Sequence, residues 1–197
     1  MSETPAPNAA RPRLIIILGS TRPGRIGLPV AQWLTNLAKE HGGFDVDLAD
    51  LKEIDLPMMD EPNHPRLKKY QHEHTKAWSA RVDAADAVVL VTPEYNGSYS
   101  APLKNALDYL SLEWVRKPVG IVSYGGISAG SRAANGLRLI TSVLGMVACL
   151  VNVSISMVSS HKQDDGTFAP PEATNAAAKG MLDELAKLDK VLKPLRP

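Results

Sequence analysis

The chain has 197 residues, 44% hydrophobic and 22% charged, with a formal net charge of +1. That is the balance of a globular protein long enough to bury a core. The near-neutral charge, with no basic run or stripe, speaks against nucleic acid as a partner. No apolar run approaches the roughly 18 to 20 residues that a membrane-crossing helix needs, so no membrane association is expected.

Residues 1–12 are rich in Pro and Ala and do not have the charged-then-apolar pattern of a secretory signal. They read as a disordered leader, with cytoplasmic location following by default, and residues 13–197 read as one domain. Leu14–Leu18 is a first buried strand. The helix Leu28–Lys39 carries Val30, Trp33, Leu34 and Leu37 on one face and ends at His41-Gly42-Gly43. Phe44–Ala49 alternates as a second strand, and the three prolines between Asp55 and Pro65 make a loop.

Leu67–Ala84 reads as a polar-faced helix and Ala87–Val91 as a third strand. A helix covers Ala101 to about Leu110. Pro118–Ser123 is a fourth strand, Arg132–Leu144 a helix, and Met146–Ile155 a long final strand. The loop His161–Pro171 precedes a C-terminal helix, Ala173–Leu192. Alternating strands and helices, with strands that are continuous apolar runs, define an α/β doubly wound parallel sheet with helices on both faces.

Ligands of such sheets bind at the carboxyl ends of the strands, which brings three loops to one edge: 19–27, 92–100 and 124–131. The first, Gly19 to Gly27, has hydroxyls at Ser20 and Thr21 and guanidinium groups at Arg22 and Arg25 before a helix N-terminus. That chemistry suits an anion. It matches neither Gly-x-Gly-x-x-Gly nor the Walker pattern, so a terminal monophosphate is expected rather than a bridging pyrophosphate. The second holds Pro93, Glu94, Tyr95 and Asn96: a rigid turn, an acid, an aromatic face and an amide. The third, Tyr124-Gly125-Gly126-Ile127-Ser128, lets backbone amides approach a flat ligand. A phosphate site beside a flat-ring site fits a mononucleotide such as FMN.

The segments Gly19-Ser20-Thr21-Arg22, Asp55-Leu56-Pro57, Pro93-Glu94-Tyr95-Asn96, Leu103-Lys104-Asn105-Ala106-Leu107-Asp108 and Tyr124-Gly125-Gly126 resemble, in order, those of the NADPH-dependent FMN reductase family. This family comprises flavodoxin-like quinone, azo-dye and chromate reductases. The resemblance implies a flavodoxin-like five-stranded sheet of order 2-1-3-4-5, and a homodimer or tetramer. It implies FMN phosphate on Ser20 and Arg22, and Pro93, Glu94, Tyr95 and Asn96 around the ribityl chain and isoalloxazine. Tyr124, Gly125, Gly126 and Ser128 would lie along the polar edge of the ring. Many members carry Ser and then Asn further into the phosphate loop, where this chain has Arg25 and Gly27, so Arg25 would supply charge in place of a hydroxyl.

The implied reaction is hydride transfer from NADPH or NADH to flavin N5, then ping-pong reduction of a small-molecule acceptor: a quinone, free flavin, azo dye or metal oxyanion. No side chain need act as acid, base or nucleophile. A flavodoxin-like one-electron carrier and a non-catalytic flavin-binding redox sensor are the alternatives.

Other candidates take structural readings. Cys149, the single cysteine, lies in an apolar run and reads as a buried, inert thiol. His72 and His74, two apart on the expected helix, point to different faces and make a poor metal pair. Asp164-Asp165-Gly166 is a turn rather than a calcium loop. Trp33 is a core residue, and Trp114 is a core or dimer contact.

Overall fold

A computed structural model describes residues 11–197. The expected leader 1–12 falls almost wholly outside them; Pro12 already extends the sheet, its carbonyl accepting from Asp45 N at 2.9 Å. Strands β1 (Arg13–Leu18), β2 (Asp45–Asp50), β3 (Ala87–Pro93), β4 (Pro118–Tyr124), β5 (Val147–Ala148) and β6 (Val153–Ile155) form one parallel sheet. Its order is β2-β1-β3-β4-β5, with β6 pairing further along β4. This is the flavodoxin-like order.

Because side chains alternate across a strand, the central strands feed two cores. Leu14, Ile16, Leu18, Val89 and Val91 face α1 (Gly27–His41) and α6 (Glu172–Leu192). Ile15, Ile17, Val88 and Leu90 face α3 (Glu73–Asp83), α4 (Ala101–Asp108) and α5 (Ser131–Val143). Each such residue is fully buried, which stabilises the fold by about 1.5–3 kcal/mol apiece.

Two expectations are corrected. The single strand over Met146–Ile155 is two short ones. After Cys149 N makes a last bond to Val119 O at 2.9 Å, Leu150, Val151 and Asn152 leave the ladder, and the register against β4 shifts by two residues. Side chains of the flanking helices take over the freed backbone groups. Glu184 accepts from Leu150 N at 3.0 Å, and Arg138 donates to the Leu150 carbonyl at 3.3 Å.

The helix over Leu67–Ala84 begins only at Glu73. Pro65–Leu67 is a 3-10 turn ended by Lys68 at φ 48°, and the Glu61 carboxylate then holds the amides of Gln71 (2.9 Å) and His72 (3.0 Å) outside the helix. Helical spacing therefore does not apply to His72 and His74. Their rings stack 5.2 Å apart at 7°, and both approach Asp60. Between β2 and the proline-rich loop, Leu51–Ile54 forms a short helix, α2, capped by the Asp50 carboxylate.

Trp114 is fully buried in the core, stacked edge-on against Trp78. Trp33 is only half-buried, bonding Asn175 Oδ1 through Nε1 at 2.9 Å. Cys149 is fully buried and burial pushes its thiol up to about 12, the condition of an unreactive sulfur. Asp165 accepts from both the amide and hydroxyl of Thr167 in a tight turn. Among the described residues no group of three or more His, Cys, Asp or Glu is placed to hold a metal ion, and no helix is long and apolar enough to cross a membrane.

Candidate functional site

The loop between β1 and α1 is held from behind. Gly19 N donates to Val91 O at 2.9 Å, and Ser100 Oγ donates to Gly19 O at 2.7 Å. The guanidinium of Arg25 bonds the Ser20 carbonyl (2.7 Å) and pairs with Asp50, a carboxylate almost wholly buried at the end of β2. Arg25 is thus the internal clamp of the loop rather than its free cation.

The amides of Thr21, Arg22, Gly24, Ile26 and Gly27 have no hydrogen-bond acceptor among the described residues, and no side chain caps α1. A row of free N–H groups at the positive end of a 15-residue helix attracts an anion. Arg22 is exposed beside them.

Gly27 is needed for a different reason from the turn. The phenol of Tyr124 comes from β4 into this position, and any Cβ on Gly27 would run into its hydroxyl. The Tyr124 ring is therefore buried beneath the phosphate loop, where it also lines the cavity enclosed by these loops. Among the described residues its hydroxyl has no hydrogen-bond partner, and burial raises its pKa.

The loop after β3 makes a two-residue turn. Tyr95 and Ser98 exchange backbone bonds of 2.8 and 3.0 Å around Asn96 (φ 49°) and Gly97 (φ 79°), the primed geometry that Asn-Gly favours. The turn presents the Tyr95 ring, whose hydroxyl meets Ser20 Oγ at 3.0 Å.

Glu94 points back into the protein. Its carboxylate accepts from Ser128 Oγ (3.2 Å) and from Arg132 N (3.1 Å) at the start of α5, and pairs with the Arg132 guanidinium. Burial raises its pKa, but these donors outweigh it and hold the carboxyl below its usual range. Gly125 N is already bonded to Ile155 O at 3.1 Å, so of the double glycine only the Gly126 amide lacks an acceptor among the described residues. Gly130, at φ 76° and packed against Tyr124 N, turns the loop into α5.

These loops enclose two adjoining spaces. A cavity of about 340 Å³ is lined by Ser20, Arg22 and Arg25 at one end and by Pro93, Glu94 and Tyr95 at the other. An open depression of about 570 Å³ is lined by Asn96, Gly126, Ile127, Ser128 and Arg132, and shares Glu94 and Gly125 with the first. The expected residues are thereby brought together, though Tyr124 and Arg25 serve as supports.

Sequence reasoning missed Val158, Ser159 and Lys162, which also line the cavity. The signal was topological: the loop after the last strand must emerge at the same sheet edge as the other three. A space of about 550 Å³ between α1 and α6 lies along the outer face of α1, from Pro29 to Glu40, and contains none of the free loop amides.

A row of free amides joined to a glycine-lined depression at the carboxyl edge of a flavodoxin-like sheet is an arrangement suited to a mononucleotide. Residues 12–159 match the profile of the NADPH-dependent FMN reductase family, and the chain belongs to that family.

An NAD(P)H-dependent FMN reductase of Schizosaccharomyces pombe is 45% identical over 125 residues, spanning 62% of this chain and 62% of that protein. An FMN-dependent NADPH-azoreductase of Staphylococcus saprophyticus is 33% identical over 155 residues, 78% of this chain and 82% of the relative. Among solved structures, a flavoenzyme NAD(P)H:(acceptor) oxidoreductase of Paracoccus denitrificans shares the fold with a TM-score of 0.73 at 22% identity, covering 92% of this chain and 98% of that one. FMN and NAD(P)H are thus the cofactor and donor of the family. The free amides at α1 fit the phosphate of FMN, and the glycine-lined depression fits its ring.

Proposed function

We propose that this protein is an FMN-dependent NAD(P)H oxidoreductase that reduces small-molecule acceptors such as quinones, free flavin, azo dyes or metal oxyanions by a ping-pong scheme. One observation carries the reading: the unbonded amides of residues 21–27 continue, through a wall shared at Glu94 and Gly125, into an open depression with a free Gly126 amide.

The loop amides with Ser20 and Arg22 would hold the phosphate. Pro93, Tyr95 and Asn96 would wall the ribityl chain and one side of the ring, and Gly126 and Ser128 its polar edge. When bound, FMN supplies the capacity to take a hydride from NAD(P)H and pass its electrons to a second substrate. The protein's part is positioning. Arg25 and Asp50 fix the phosphate loop, and Glu94 ties the two ring loops together. The unbonded Gly126 N–H could donate to negative charge developing on a ring held in the depression.

Leu139, Val143 and Leu150 are 72%, 84% and 87% exposed. An apolar face of this kind supports assembly with a second copy, which light scattering on the purified protein would test. Anaerobic stopped-flow mixing of the flavin-loaded protein with NADPH tests the activity. Loss of flavin absorbance followed by recovery on adding a quinone is expected, and no loss would refute a reductase.

A further inference from the structure

Lys162 stands just beyond β6 and the 3-10 turn Val158–His161, at the sheet edge that carries the phosphate loop. Its backbone is anchored in a small hairpin. Lys162 bridges Phe168, Gln163 N donates to Thr167 O at 2.9 Å, and Ala169 N donates to His161 O at 3.0 Å. Phe168 is buried against the edge of Trp33, 5.7 Å between ring centres. The side chain is exposed, lines the same cavity as Ser20 and Arg22, and has no carboxylate partner among the described residues.

Charge accounting gives this lysine a task. A phosphate monoester carries about −1.5 to −2 at pH 7. Of the two arginines in the loop, Arg25 is neutralised by Asp50 and bonded to the Ser20 carbonyl, which leaves Arg22 as the one cation the loop can offer. The free amides add partial charge only. The second full cation reaching this cavity is Lys162, delivered from the far end of the sheet beyond the family-matched residues 12–159.

We propose that Lys162 is the second counter-charge of the phosphate site, replacing the charge that Arg25 withdraws to Asp50, and that it sets the preference for FMN over unphosphorylated riboflavin. This rests on the reading of the cavity as an FMN site. The same ammonium chemistry would serve the 2′-phosphate of NADPH, and the test separates the two.

Flavin-free full-length protein, as wild type, Lys162→Gln and Lys162→Arg, is titrated with FMN and with riboflavin by fluorescence quenching at low and high salt. A lost charge-assisted bond should weaken FMN binding by Lys162→Gln about tenfold, with a shallower salt dependence. Riboflavin binding should stay unchanged, and Lys162→Arg should restore FMN affinity. Equal weakening of both flavins, or unchanged FMN binding, overturns the proposal. So does a change confined to the ratio of KM for NADPH and NADH, which would assign the lysine to the donor. A wild-type chain that binds neither flavin overturns the FMN reading itself and this proposal with it.

Discussion

The hydroxyls of Ser20 and Tyr95, on loops 75 positions apart in sequence, meet at 3.0 Å. This bond joins the anion end of the site to its ring end and fixes the Tyr95 ring, 38% exposed, as the wall between them. Tyr95→Phe keeps the ring and removes the link. A hydrogen bond of this kind is worth about 0.5–1.5 kcal/mol, so FMN affinity should fall by a factor of roughly 2 to 12. Tyr95→Ala should cost more, because the wall goes too. Fluorescence titration with FMN reads both.

Gly27 and Tyr124 form a second such pair. Gly27→Ala forces a methyl group against the buried phenol oxygen and should destabilise the fold by about 1–3 kcal/mol. Tyr124→Phe removes a buried hydroxyl that has no partner among the described residues, so by itself it should be neutral or slightly stabilising. Combined, the two changes should recover part of the loss. Urea denaturation of the three variants measures this, and a strongly destabilised Tyr124→Phe would contradict the described packing.

Arg25→Ala should leave the Asp50 carboxylate buried without its counter-ion, 4% exposed at the end of β2. Breaking a buried pair in this way costs about 3–5 kcal/mol. Replacing both residues, as in Arg25→Met with Asp50→Leu, should cost less than the single change. A phosphate ligand would behave differently, with FMN affinity falling while the denaturation midpoint of the flavin-free protein stayed fixed.

Glu94 gives a pH dependence of definite sign. Burial raises its pKa, yet the Arg132 amide, the Ser128 hydroxyl and the Arg132 guanidinium bring the net value below the unfolded one. A depressed folded pKa contributes stability above the unfolded carboxylate value, and that stability is lost as pH falls through the folded one. Thermal unfolding followed from about pH 6 down to about pH 3 should show wild type losing more stability than Glu94→Gln. Parallel curves would contradict the assignment.

The central strands were legible because Leu14–Leu18, Ala87–Val91 and Pro118–Ser123 are unbroken apolar runs, and a strand buried on both faces needs such a run. The break between β5 and β6 was not, because Cys149, Leu150 and Val151 are as apolar as their neighbours. What interrupts the ladder is Glu184 and Arg138, carboxylate and guanidinium groups from helices on either side that bond the backbone there. The late start of α3 has a similar cause, since Glu61 holds the amides of Gln71 and His72 from outside the segment.

At the site, glycines, hydroxyls and aromatics pointed to the correct loops, since their types constrain local backbone and chemistry. The partners did not follow. That Arg25 pairs with Asp50, and that Tyr124 lies beneath Gly27, depends on residues brought together only by the sheet.

The most direct test of the central claim is the absorbance spectrum of the purified protein, extensively dialysed with FMN, then mixed anaerobically with NADPH. A flavin-dependent reductase retains a flavin spectrum that bleaches on NADPH and returns with a quinone or azo-dye acceptor. A protein that retains no flavin and binds none on titration, or a bound flavin that NADPH leaves oxidised, would contradict it.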